Sequence, residues 1–172
     1  MKLAYVMTER RGGTDLALSS LATACLRAGL RPAGLVQINS GGDDGHRCDM
    51  DVKVLPDGGT YRISQSLGRQ ARGCRLDPAA LDRAVTEVQH GLDRARPDIL
   101  IVNKFGKHEA AGRGFRDVIA QALMMDIPVL IGINALNLAA FTEFSDGTAE
   151  RLAPCPATFF AWLQGAQGTA VA

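Results

Sequence analysis

Short, uninterrupted apolar runs alternate with stretches of helical period along this chain. Leu3 to Met7 is continuously apolar and runs into a Gly-containing segment, the pattern of a parallel strand buried on both faces. From Thr14 to Ala28, apolar side chains recur at Leu16, Leu18, Leu21, Ala22, Cys25 and Leu26, close to the 3.6-residue period of a helix, with Gly29 as the stop. Ala33 to Gln37 predicts a second strand, so Met1 to Gln37 reads as a βαβ unit whose first loop lies at the carboxyl edge of a parallel sheet. Asn39 to Gly45 is a polar, Gly-rich loop. Met50 to Leu55 and Thr60 to Ser64 alternate around Pro56-Asp-Gly-Gly59, a hairpin signal.

The second half repeats the strand–helix alternation. Asp77 as N-cap and Pro78 at the first helical position open a helix over Asp77 to Ala95. Strands follow at Pro97 to Val102 and Ile127 to Ile133, with a helix over Arg113 to Met125 between them. The segment from Asn134 is less regular, with a short helix expected at Ala157 to Leu163 and a frayed tail over 166–172. This pattern predicts one α/β domain over 1–165, a three-layer sandwich with a mainly parallel sheet and a β-hairpin insertion. In such sheets ligands sit beyond the carboxyl ends of the strands, here after Met7, Gln37, Val102 and Ile133.

Composition narrows the class of partner. The chain has 172 residues and a formal net charge of +1, without the basic excess of a general nucleic-acid binder. Its 4 Lys against 15 Arg fit either bidentate oxyanion contacts or a GC-rich coding sequence. Cys25, Cys48, Cys74 and Cys155 form no CxxC pair, which argues against a zinc ribbon or a dithiol redox site. The opening apolar run is too short for a signal peptide, and no stretch reaches the length of a membrane span. A cytoplasmic location is the expectation.

The chemistry concentrates in two segments. Thr8-Glu-Arg-Arg-Gly-Gly-Thr-Asp15 follows the first strand and opens the first helix, where a P-loop would read GxxxxGK[ST]. Gly13 keeps the second glycine, but Thr8 replaces the first, Thr14 the Lys and Asp15 the hydroxyl residue. Arg10, Arg11, Gly12, Gly13 and Thr14 can still form an anion nest at a helix N-terminus, with arginine charge in place of the lysine. A plain strand-to-helix turn has the same pattern. The second segment, Ile99 to Glu109, closes its strand with Asn103 and then Lys104, where a hydrolase carries its magnesium carboxylate. A lysine repels Mg²⁺ in a small site, so Lys104 and Lys107 point to neutralising an anion.

Pro97-Asp-Ile-Leu-Ile-Val-Asn-Lys-Phe-Gly-Lys-His-Glu109, continuing through Phe115 to Pro128-Val-Leu130, resembles the Walker B region of the small nucleoside-triphosphatases first described in thermophiles. That region reads as a strand, Asp-Glu-Ile-Gly-x-Met-Glu, a helix, then a Pro-Val-Leu strand. Gly34-Leu-Val-Gln37, Gly73-Cys-Arg-Leu-Asp-Pro78, Asn103 to Glu109 and Gly112-Arg-Gly114 are similar to an uncharacterised bacterial family of about this length. Its members are sometimes labelled molybdenum-transport ATP-binding proteins. The resemblance covers roughly residues 1 to 145. It implies a P-loop-type fold, a nucleotide-related ancestry and a link to molybdenum.

Other groups carry less specific signals. Arg69, Arg72 and Arg75, spaced by three, would share a helical face and suit a phosphate- or molybdate-like oxyanion, or a solvated or subunit-contact face. Cys74 lies among them as a buried small residue or an activated thiol. His46, Cys48, Asp49 and Asp51 are close in sequence, but strand alternation would splay them, and no metal site is assigned. Glu109 is expected to pair with Arg113 at i+4, and Phe159, Phe160 and Trp162 to pack a core or a subunit interface.

The resulting expectation is an anion-binding protein for a nucleotide or molybdate-like oxyanion in molybdenum uptake or homeostasis. Its ligand residues would be Arg10, Arg11, Gly12, Gly13, Thr14, Asn103, Lys104, Lys107, Arg69, Arg72 and Arg75. No catalytic residue is assigned, and Mg²⁺ fits poorly. Contact with a transporter and homo-oligomerisation are open. A divergent Mg²⁺-dependent nucleoside-triphosphatase and an oligomeric regulatory protein with a vestigial site are the alternatives.

Overall fold

The computed structural model describes residues 2–40, 49–65 and 76–167. Seven strands form one sheet: β1 (Leu3–Val6), β2 (Pro32–Ser40), β3 (Asp49–Leu55), β4 (Thr60–Arg62), β5 (Ile99–Val102), β6 (Val129–Gly132) and β7 (Glu150–Leu152), in the order β4-β3-β2-β5-β6-β1-β7. Strands β2, β5, β6, β1 and β7 run parallel, and the hairpin β3–β4 adds an antiparallel flank. The helices are α1 (Gly13–Arg27), α2 (Pro78–Arg94), α3 (Lys107–Ala110), α4 (Arg116–Met124), α5 (Leu138–Phe144) and α6 (Pro156–Gln167).

Strand alternation splits the core in two. Leu3, Leu100, Val102, Val129 and Ile131 face the layer containing α2, α4 and α5, with Ala84, Val88, Ile119 and Phe141. Ala4, Val6, Ile99, Ile101 and Leu130 face the layer of α1 and α6, with Leu18, Leu21, Phe159 and Trp162. Continuous apolar runs result because successive side chains enter opposite layers and both are dry. Each fully buried aliphatic side chain contributes roughly 1.5–3 kcal/mol. Helix α2 starts as its sequence dictates: Pro78 holds the first position, and Asp77 accepts from the Ala80 amide at 3.1 Å.

Several limits differ from the pattern's expectation. Strand β2 runs to Ser40 rather than Gln37, because its outer half pairs with β3. Helix α4 starts at Arg116 rather than Arg113, because Gly114 takes a left-handed φ of 62°. The region after Asn134 is more ordered than its pattern suggests. Asn134 caps a 3₁₀ turn at Ala135–Asn137, and α5 and β7 follow. Helix α6 spans Pro156–Gln167, beyond the expected Leu163 limit, and the rest of the expected frayed tail lies outside the described residues. No helix among the described residues is long and apolar enough to cross a membrane.

Candidate functional site

Because β5, β6 and β1 are adjacent and parallel, the segments after Val102, Gly132 and Val6 emerge side by side at the carboxyl edge. Their contact point is Gly132. A Cβ there would lie 2.2 Å from the Asn103 carbonyl oxygen and 3.0 Å from the Thr14 methyl carbon. Only glycine lets the end of β5 and the start of α1 close over the tip of β6.

The loop from β1 to α1 is held by its own hydroxyls. The Thr8 amide donates to Thr14 Oγ1 at 3.2 Å, the two hydroxyl oxygens lie 3.1 Å apart, and Thr8 Oγ1 donates to the Arg10 carbonyl at 3.3 Å. A turn closes by the Gly13 amide donating to the Arg10 carbonyl at 2.9 Å, and Gly12 takes the left-handed φ of 73° that leads into α1. Gly13 has no room for a side chain, since a Cβ would sit 2.6 Å from Thr8 Oγ1. Helix α1 has no side-chain cap, and the Thr14 and Asp15 amides donate to no described acceptor. Thr8 and Thr14, six residues apart, form a clasp that the sequence pattern does not mark: there Thr8 stands only for a lost P-loop glycine, and Thr14 for the lost lysine and a member of the expected anion nest.

Across the edge, Asn103 is 7% exposed at the end of β5. Its Oδ1 accepts from the Gln37 amide of β2 at 2.9 Å, and its Nδ2 donates to Asp15 Oδ1 of α1 at 2.9 Å. The structure thus joins residues 88 positions apart in sequence and sets Asp15 at the positive end of α1, where a carboxylate is favoured. Lys104 follows Asn103 at the edge, and Lys107 opens α3; both are exposed. Arg10 and Arg11 are exposed on the β1–α1 loop. None of these four cations forms an ion pair with another described residue. Arg69, Arg72, Arg75 and Cys74 lie outside the described residues, as do His46 and Cys48. Asp51 pairs with Arg62 at 3.0 Å, and among the described residues no three His, Cys, Asp or Glu side chains gather around a metal-sized space.

One expectation is overturned. Glu109 makes no salt bridge with Arg113. Its carboxylate is 4% exposed and accepts from the Gly106 amide at 2.8 Å and the Phe115 amide at 3.2 Å. The segment turns back at Gly112 and Gly114, so Arg113 lies outside a continuous helix and points to solvent. Phe105, between Lys104 and Gly106, is buried edge-to-face against Phe141, which anchors the segment and leaves its cations outward.

Residues 3–162 match the family described as "Protein of unknown function (DUF2478)", and the chain belongs to that family. It is 34% identical over 151 residues to the Molybdenum import ATP-binding protein ModC 2 of Bradyrhizobium diazoefficiens. The match takes in 88% of this chain but only 17% of that relative's length. Among solved structures it is similar to a human cancer-related nucleoside triphosphatase, with a TM-score of 0.62, 16% identity, and 88% and 87% of the two chains covered. It is also similar to THEP1 of the hyperthermophile Aquifex aeolicus, with a TM-score of 0.60, 15% identity and both chains covered in full. The chain shares the fold of these two structures, an α/β architecture on a seven-stranded, mainly parallel sheet.

Proposed function

From membership of the DUF2478 family and the geometry of the carboxyl edge, we propose that this chain is an anion-binding domain without efficient hydrolysis. Its ligand is a nucleotide or a molybdate-like oxyanion, and its setting is cytoplasmic molybdenum uptake or homeostasis. The observation that carries this reading is the β1–α1 loop. It keeps a left-handed Gly12, a close-packed Gly13 and an uncapped α1, with Arg10 and Arg11 exposed on it, while Lys104 and Lys107 are exposed on the segment that follows β5. Free amides at a helix start together with unpaired cations favour an anion. Arg69, Arg72 and Arg75 belong to the same reading on sequence grounds. The molybdenum setting is supported by the name of the relative from Bradyrhizobium diazoefficiens, of which this chain spans a small part.

Efficient hydrolysis is not expected, because the groups at the two key places differ from those that the reaction uses. Phosphoryl transfer in this fold uses a lysine at the loop and carboxylates at the strand end to hold Mg²⁺ and orient water. Here those places carry Thr14, Asn103 and Lys104.

The test is a thermal-shift panel with ATP, GTP, phosphate, sulfate, molybdate and tungstate. A ligand at a hundred times its Kd stabilises by about 2.7 kcal/mol. One ligand class should raise Tm in proportion to the logarithm of its concentration, and Arg10→Ala and Lys104→Ala should each reduce the rise. No rise with any of the six ends the proposal. A second reading, a regulatory module with a vestigial site, is favoured by the internal bonds Thr8–Thr14 and Asp15–Asn103. It expects partner binding to survive simultaneous alanine replacement of Arg10, Arg11 and Lys104.

A further inference from the structure

The Asp15–Asn103 contact has a defined polarity. The Gln37 amide can only donate, so the Asn103 atom that faces it is the carbonyl oxygen, and the NH₂ group faces Asp15. The orientation of Asn103 is therefore set by the backbone of β2. In a P-loop site the corresponding helix residue is a Ser or Thr hydroxyl and the corresponding strand residue a carboxylate, and the two share Mg²⁺. In this chain the negative charge has crossed from strand to helix. Asp15 takes the hydroxyl's place, a neutral amide takes the carboxylate's, and Lys104 adds a positive charge at the next position. Mg²⁺ requires oxygen lone pairs at about 2.0–2.1 Å in near-octahedral array. Asn103 offers N–H on the side facing Asp15, and its oxygen is turned to Gln37. The residues present do not fit the cation.

We infer that the Asp15–Asn103 hydrogen bond stands in for the divalent cation of this fold, so that the anion is bound metal-free, and that a carboxylate at residue 103 converts the pair into a cation site. The first clause rests on the anion-binding reading; the second does not. Residues 15 and 103 are specificity-determining in this view. They exclude metal-chelated polyphosphate and leave the amides of α1 and the exposed cations to a bare anion.

Two titrations separate the clauses. Mn²⁺ added to the wild-type protein should leave Tm where EDTA leaves it. Asn103→Asp brings two carboxylates to hydrogen-bonding distance, so its Tm should fall in EDTA and recover saturably with Mn²⁺, by at least about 2 °C. Should that variant fail to fold, the double exchange Asp15→Ser with Asn103→Asp keeps the net charge and restores a hydroxyl–carboxylate pair, and should show the same Mn²⁺ response. A saturable Mn²⁺ response of the wild type that Asp15→Asn abolishes would overturn the inference, as would Mn²⁺ indifference of the carboxylate variants. For the anion clause, molybdate and ATP are titrated into wild type with EDTA and with Mg²⁺, and the midpoints should agree within about twofold. Binding that requires Mg²⁺ refutes the clause. Absence of any binding removes the anion reading and this clause with it, while the Mn²⁺ titrations still decide the other.

Discussion

Glu109 shows how one side chain can hold a loop that carries other residues' chemistry. Its buried oxygens take the amides of Gly106 and Phe115, and Gly114 lies so close that a Cβ would be 2.3 Å from Oε1. Glu109→Ala strands a buried amide donor at Phe115 and a part-buried one at Gly106, and should cost about 2–4 kcal/mol in urea unfolding. Gly114→Ala adds strain at a φ of 62° as well as the contact, and should cost roughly 1–3 kcal/mol by the same measurement. Against the Asp-Glu-Ile-Gly-x-Met-Glu pattern, Gly106 and Glu109 match, while Asn103 and Lys104 stand at the two acids. The matching positions shape backbone; the departures lie where a hydrolase does chemistry. The charge of Glu109 was legible in the sequence, but its partners were not, since the two amides become neighbours only once the segment turns back on itself. Asp15 and Asn103 were hidden for a similar reason: nothing local marks a contact between a helix start and a strand end 88 residues away.

At the scale of elements, the junction of β2 with β5 depends on Gly34, where φ is 114° and a Cβ would fall 1.9 Å from the Ile101 carbonyl oxygen. Gly34→Ala cannot be accommodated without parting the central strands, and a loss above about 4 kcal/mol is expected, read as failure to give a cooperative melt. The hairpin is tied to α2 through Glu87, which accepts from the Tyr61 hydroxyl and the Gly59 amide, while Lys53 donates to the Gly58 carbonyl. The Tyr61 hydroxyl first, and the Gly59 amide after it, hold the Glu87 carboxyl below its ordinary value of 4.5. The folded state thus prefers the ionised acid, and this contribution is complete above pH 4.5 and fades as pH falls below it. Tyr61→Phe should lower Tm at neutral pH and flatten the acid limb of a Tm–pH curve. The long elements were legible because their apolar periods are unbroken. Strand β7 and helix α3 were not: Glu150-Arg-Leu152 buries one side chain of three, and Lys107 to Ala110 makes barely one turn.

For the whole molecule, the two core layers share β1, β5 and β6, so neither can melt while the other keeps its strands. Trp162, the single tryptophan, is buried in the α1–α6 layer, whereas α2 and α4 report on the other. Its fluorescence and the far-ultraviolet helix signal should therefore fall at one denaturant concentration, and separated midpoints would contradict the single-domain reading of 1–165. The outermost strands carry a different consequence. Among the described residues β4 and β7 are three residues each, with Thr60, Arg62, Glu150 and Arg151 turned to water. A border so brief and so hydrated gives a passing backbone almost no ladder to grip. This domain can therefore stand crowded among its own copies, or threaded into a longer polypeptide, without zipping onto its neighbours.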